Sequence, residues 1–497
     1  ACADFIIRLP QHGNSPLASL YTDIWTRYVA LQLQDLAYHA SLADLSLGLS
    51  SAFMGIAVSV RGFHDKLPEL LQHATAALWS TPVVPEVMQT VLESMVRGIK
   101  NSLLRPADAA THHRLLGLLA PCQPLHERLA ALEAVTPADV ARFAGQELVG
   151  GLPAASSGST DVKLDWTGAW VEGVIVGNAS PDLARSMFQT VKASLPALPS
   201  AAGSVGLVGD AAMETPCAAV YCGVPDHASS STLPTCAPAG LIRSHVAALP
   251  RGSATVVHVP PRTPTARTCC VHKYFQVSLD HSLPAAAISA LVAIMSEPLF
   301  DQLRTKQQLG YTVGCTGHST DGVLGLSLTV QSSSATPQEV DEAMEAFFID
   351  FRETLATMAP EAFQRVLRSA SAGRLQVEAN MHDLAGNVMV AVKRSKYYWA
   401  SPNAEAAALA RLTQSGILQL FDHVVAPGSR REFTAYVHAG AGAAAGTGTI
   451  SVRAAGGASI PVTHVEGETA FQEWRQAQSR LAVHFFSVPA DALGAGL

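Results

Sequence analysis

The chain carries one pattern of strands and helices twice, and this repeat limits its folding options more than any other feature. Phe5, Ile7 and Leu9 alternate as in a half-buried strand. Ser15-Pro16 follows, a good N-cap ahead of a residue suited to the first helical position. Leu17, Leu20, Ile24, Tyr28 and Leu31 then recur every three or four residues, the apolar stripe of a helix. Leu45 to Val60 alternates around Gly55, and Pro68 opens a second helical pattern. The order returns with Phe275, Val277 and Leu279, a helix from Pro284, alternation from Leu309 to Val330 around Gly325, and a helix from Pro337. Phe5 and Phe275 lie 270 residues apart, as do Gly55 and Gly325; Pro68 and Pro337 lie 269 apart. Self-similarity at a fixed spacing is an architectural signal. It predicts an α+β chain of two homologous domains, each a mainly antiparallel sheet with helices packed on one face.

The expected domains are residues 1–240 and 241–497. A flexible surface loop is expected at 150–161 (GGLPAASSGSTD), a junction at 199–249, and another loop at 439–458, all rich in small residues. The chain opens directly on an alternating strand, with no signal peptide ahead of it, as expected for a segment cut from something longer.

Composition narrows the function classes. With 48 % hydrophobic and 15 % charged residues in 497, the chain is globular. A formal charge of −7 offers no basic excess for phosphates, so no nucleic-acid partner is expected. No unbroken apolar run reaches ~18 residues, so no membrane partner is expected either. Eight cysteines lie scattered without a CxxC pair, which favours reduced thiols and a cytoplasmic location, with an organelle as the alternative.

Most catalytic signatures are missing. The nearest approach to H-E-x-x-H is His126-Glu127-Arg128-Leu129-Ala130, which lacks the second histidine, and H-x-x-E-H does not occur. His112-His113 upstream reads as a surface pair on a helix. There is no G-x-S-x-G elbow; Cys269-Cys270 on a strand would point to opposite faces as structural thiols. The glycine-rich run 440–448 has neither phosphate-cradle spacing nor a following Lys-Ser/Thr. One segment remains, from Ser296 to Val313. Its reading is a helix restarted at Pro298, with Leu299, Phe300 and Leu303 buried, stopped by Gly310, and a strand from Tyr311. Arg304 and Tyr311 could then reach a common rim. Together they are oxyanion donors, although a helix-terminal cation beside a core tyrosine fits the same letters.

LRTKQQLGYTV (Leu303–Val313) closely resembles the R-T-x-x-Q-L-G-Y-x-V signature of the insulinase–pitrilysin group of inverted-zinc metallopeptidases. Residues 295–400 resemble that family's fourth domain, and residues 15–80 its third, with SPLASLYTDIW and FMGIAVSVRGFHDKLPELL; Gly177-Asn178 matches a Gly-Asn after a strand of the third domain. The resemblance implies that 1–240 is third-domain-like and 241–497 fourth-domain-like, together forming a half-chamber. It implies that Arg304 and Tyr311 approach the scissile peptide when two halves close. Zinc and its ligands lie in the family's N-terminal half, so this chain is expected to hold no metal itself and to need that half as partner, in the same polypeptide or as a separate subunit. Peptides are the implied substrates. A non-catalytic structural or regulatory subunit is the alternative.

Overall fold

The computed structural model describes residues 1–9, 15–52, 55–63, 65–120, 122–148, 170–195, 245–261, 263–280, 282–393, 401–440, 460–478 and 480–481. The expected loops at 150–161 and at 441–458, and the junction over 199–244, lie outside them. The chain divides into two compact units. Unit 1 comprises 1–96, 126–242 and 378–395; unit 2 comprises 97–125, 243–377 and 396–497.

In unit 1 the strands β1 (Cys2–Arg8), β2 (Ser46–Ala52), β3 (Gly55–Arg61) and β4 (Trp170–Val176) form an antiparallel sheet in the order β2-β3-β1-β4. The helix Pro16–Gln32 begins where the sequence places it, with the Ser15 side chain accepting from the Ala18 N–H. It is held by long-range bonds from buried rings: Trp25 Nε1 donates to the Leu78 carbonyl at 3.0 Å, and the Tyr28 hydroxyl donates to Pro82 at 2.7 Å. Buried Arg8 pairs with Glu172 on the neighbouring strand at 2.7 Å. It also donates to the Val392 carbonyl at 2.8 Å, satisfying a carbonyl at the end of the helix Met381–Lys393.

Unit 2 is built on β5 (Ser253–Val259), β6 (Cys269–Leu279), β7 (Thr312–Thr320), β8 (Val323–Ser332), β9 (Arg431–Val437) and β10 (Val462–Glu466), in the order β10-β5-β9-β6-β8-β7. Its part β7-β8-β6-β9 is antiparallel and repeats the order β2-β3-β1-β4 of unit 1 strand for strand. β5 and β10 extend the sheet by parallel pairing. The landmark Gly325 has a packing reason: a Cβ there would lie 2.2–2.3 Å from the phenol end of Tyr274 on β6.

One face of this sheet is covered by the helices Ser282–Phe300, Pro337–Thr357 and Gln414–Val425. They bury Ile288, Leu291, Met295, Phe347, Phe348, Phe351 and Phe421 against Phe275, Leu326 and Val330. The helix Pro337–Thr357 starts with a capping box between Thr336 and Glu339. The sheet also carries a smaller second layer on its other face. There the helix Pro106–Leu118 and Phe471 pack on Cys270, Tyr274, Phe433 and Ala435. Within the long helical segment Ser282–Lys306 an 18-residue stretch is apolar enough (mean hydropathy 1.7) to cross a membrane by length and composition alone; half of that stretch is buried inside the fold. It is the central core helix of unit 2.

That core also encloses charge. Lys273 on β6 lies 2.7 Å from Asp341, against Glu345, and 3.4 Å from Glu432; Arg430 bonds Glu345 at 3.0 Å and Glu432 at 2.9 Å. Three carboxyls face two cations, all buried. Burial raises the Asp341 carboxyl from its usual 3.8 to about 6, against the pull of Lys273. The folded state therefore holds that proton more tightly than the unfolded chain does. Its contribution is fully present below about pH 4 and is lost as pH rises through about 6. Urea unfolding should show Asp341→Asn flattening this fall between about pH 4 and 6. Lys273→Met should cost about 3–5 kcal/mol by stranding buried carboxylates; a loss below about 1 kcal/mol would show that the charges are not buried together.

Candidate functional site

Arg304 and Tyr311 stand at the end of the core helix. Pro298 lies inside a continuous helix Ser282–Phe300 and does not restart one. Proline removes one N–H there, and the helix widens at once into a π-helical turn over Asp301–Lys306. Leu299 and Leu303, one turn apart, are fully buried. Phe300, expected in that buried face, is 41 % exposed instead, because it falls one position off the 299/303 row. Its ring takes another role: the Arg304 guanidinium sits 4.5 Å from its centroid.

The turn that follows also differs from the expected stop at Gly310. Gln307 N–H bonds the Gln302 carbonyl and Leu309 N–H the Leu303 carbonyl, each at 3.0 Å, and Gln308 is the residue with left-handed backbone (φ 53°). Gly310 is needed for close approach: a Cβ there would meet the Gln331 carbonyl oxygen at 1.8 Å. The backbone of β8 thus fixes where the chain turns out into Tyr311. That residue is 82 % exposed, and its ring centroid lies 4.3 Å from the Arg304 guanidinium.

The structure therefore brings the two candidate residues together, with the cation stacked on Tyr311 and Phe300. Such contacts contribute about 0.5–1 kcal/mol each at exposed positions. Among the described residues no carboxylate pairs with Arg304, whereas neighbouring Lys306 is tied to Asp301 at 2.7 Å and Gln302 to Asp350 at 2.9 Å. A guanidinium and a phenol presented side by side can donate to a carbonyl oxygen or to charge developing on it. The i, i+4 spacing of Phe300 and Arg304 was the sequence signal for the missed aromatic support.

The other candidates are structural. His113 is buried, bonding the Ala109 carbonyl at 2.8 Å beside the Phe471 ring. The Cys269 thiol donates to the Ala335 carbonyl, and Cys270 faces the second core; with Cys2, Cys122 and Cys315 they are free thiols. Three histidines not singled out from sequence, His438, His258 and His464, form a hydrogen-bonded row with N···N distances of 3.0 and 3.1 Å. Each nitrogen of His258 faces another ring nitrogen, so their lone pairs do not converge on one point. Among the described residues no group of three or more His, Cys, Asp or Glu side chains is placed to hold a metal ion. They do not fit the zinc that the family resemblance implies.

The fold is α+β and pitrilysin-like. Pitrilysin superposes on 97 % of the chain with a TM-score of 0.74 at 16 % identity, the match covering 44 % of pitrilysin. A solved M16 peptidase inactive domain from Pseudomonas fluorescens matches 88 % of this chain and 92 % of its own length, with a TM-score of 0.55 at 14 % identity. Residues 1–131 match the middle or third domain of peptidase M16, and residues 290–389 the C-terminal lobe domain 4 of PQQ synthase PqqF-like proteins. Human insulin-degrading enzyme is 23 % identical over 439 residues, which are 88 % of this chain and 38 % of that enzyme. The chain is thus similar to the insulinase–pitrilysin M16 peptidases and spans well under half the length of the insulin-degrading enzymes it matches.

Gly310→Ala tests the turn. It should cost at least about 2 kcal/mol in urea unfolding, because the new Cβ meets backbone. Unchanged stability would show that the turn can relax.

Proposed function

We propose that this chain is the C-terminal, non-zinc half of an insulinase-like zinc metalloendopeptidase acting on peptides in an enclosed chamber. On this reading 1–240 is the third-domain-like and 241–497 the fourth-domain-like unit. The N-terminal half, in the same polypeptide or as a separate subunit, brings the metal and its ligands. Arg304 and Tyr311 contribute hydrogen bonds to the substrate carbonyl or the transition state. The observation that carries the reading is their geometry: two donors, side by side, with no carboxylate on the cation among the described residues, on a base fixed by Leu303 and by the Gly310 approach. Zinc chemistry polarises the carbonyl and activates water, so the chain is inactive alone.

The likeness to an M16 inactive domain of matching length favours a second reading, a non-catalytic structural or regulatory subunit. One experiment separates the two. The purified chain is mixed with a zinc-bearing half, and a quenched fluorogenic peptide is followed. The first reading expects activity only in the mixture. It also expects Tyr311→Phe to lower kcat by about 10²-fold, the scale of a lost oxyanion donor, with KM nearly unchanged. A mixture whose activity is the same with wild-type and Tyr311→Phe chains would overturn the assignment and favour the structural subunit.

A further inference from the structure

The second face of the unit 2 sheet carries a cluster that the peptidase reading does not use. Arg114, on the helix Pro106–Leu118, is 4 % exposed, and its guanidinium lies 5.2 Å from the centroid of the Tyr274 ring. Beneath it, His272 and Tyr274 of β6, Ser327 and Thr329 of β8, and His318 and Thr320 of β7 share one face by strand register. The His318 ring lies 6.5 Å from both the His272 and the Tyr274 ring. Some of this cluster is satisfied: His272 Nδ1 lies 2.8 Å from the Thr329 hydroxyl, His318 Nε2 2.7 Å from the Ser327 hydroxyl, and Arg114 Nη1 3.4 Å from the Thr320 hydroxyl.

Three atoms are left over. Arg114 Nε, Tyr274 Oη and His272 Nε2 are buried and have no hydrogen-bond partner among the described residues. The first two carry hydrogens to donate. With the Thr329 hydroxyl donating to Nδ1, a tautomer assigned from the partners, His272 Nε2 carries a third. Among the described residues no carboxylate pairs with Arg114. A guanidinium buried without a counter-charge is costly, and the contrast with Lys273 and Arg430 on the other face, which meet three carboxyls, is direct. Burial and the nearby Arg114 charge hold His272 down to about 3 and His318 down to about 4, so both are neutral at pH 7 and add no positive charge of their own.

From one buried cation and three untaken donors in one cluster, we propose that this face holds a binding site for a small monovalent anion, of chloride or formate size, beneath the helix Pro106–Leu118. The anion supplies the missing counter-charge and accepts from Arg114, Tyr274 and His272. Gly325 is part of the construction, because it leaves room for the phenol end of Tyr274. The ligand is small because Arg114, His272 and Tyr274 are all nearly sealed from solvent, so a peptide or nucleotide could not reach them without lifting the helix. This site stands independently of the peptidase reading.

The test is thermal unfolding of the full chain as chloride, and separately formate, replaces gluconate at constant ionic strength. A saturable rise of about 2 °C or more is expected for at least one of the two small anions, and which of them produces it identifies the source. Arg114→Met should melt at or above the wild-type temperature in gluconate, since it removes an uncompensated buried charge, and should not respond to the small anions. Tyr274→Phe keeps the ring beneath Arg114 and should shift the midpoint several-fold to higher anion concentration. If Arg114→Met does not fold, Tyr274→Phe and a bromide-soaked crystal carry the test, with an anomalous peak expected among Arg114, Tyr274 and His272. Water alone at that position, no saturable response, or the same response in Tyr274→Phe as in the wild type would overturn the proposal.

Discussion

The burial of Leu299 and Leu303 at the end of one core helix is the constraint on which the candidate site depends. These two side chains bind the last turns of Ser282–Lys306 to a hydrophobic core that also holds Phe275, Phe347, Phe348, Phe351 and Phe421. Each buried side chain of this size contributes about 1.5–3 kcal/mol. That anchoring lets Arg304, the very next residue after Leu303, be held in position while it faces outward. The π-helical turn and the left-handed Gln308 then reverse the chain within a few residues, and the carbonyl of Gln331 leaves no room for a side chain at Gly310. The site is thus a product of core packing: an apolar helix end on one side, a β-strand backbone on the other, and two polar side chains carried between them.

Much of this was legible in the sequence. The repeat predicted a strand, a helix, an alternating segment and a second helix in each unit, because alternation and helical stripes are local consequences of burial; that each alternating segment is two strands came only with the structure. Mainly antiparallel sheets were expected from the same repeat, whereas the shared strand order of β2-β3-β1-β4 and β7-β8-β6-β9 is seen only in the structure. The family-like segment brought Arg304 and Tyr311 to notice before any geometry did. What could not be read were effects of distant neighbours. Pro298 stays inside its helix because the helix is packed along its length, overriding a local breaker. Phe300 leaves the core because Leu299 and Leu303 define the inward row. The reason for Gly310 is an atom of Gln331, twenty-one residues on. The parallel strands β5 and β10 and the second helical layer come from segments without counterparts in the repeat.

The six-stranded sheet handles charge differently on its two faces. On one, Lys273 and Arg430 share Asp341, Glu345 and Glu432, and burial is made tolerable by dense pairing. On the other, Arg114 rests on the Tyr274 ring among neutral imidazoles and hydroxyls. Both arrangements start from residues of one strand, where period-two alternation sends Lys273 to one side and His272 and Tyr274 to the other. Sequence alternation alone does not distinguish a paired charge from an unpaired one, since the partners come from helices about seventy residues downstream and over a hundred and fifty upstream.

The central claim is that Arg304 and Tyr311 act on one oxygen of the reacting peptide. A double-mutant cycle measures this most directly: kcat of the assembled enzyme with Arg304→Gln, with Tyr311→Phe and with both, against one peptide. The account predicts strongly non-additive losses, the double variant falling little below the worse single one, as for groups that serve the same atom. Fully additive effects, or a kcat left intact by either single change, would contradict it.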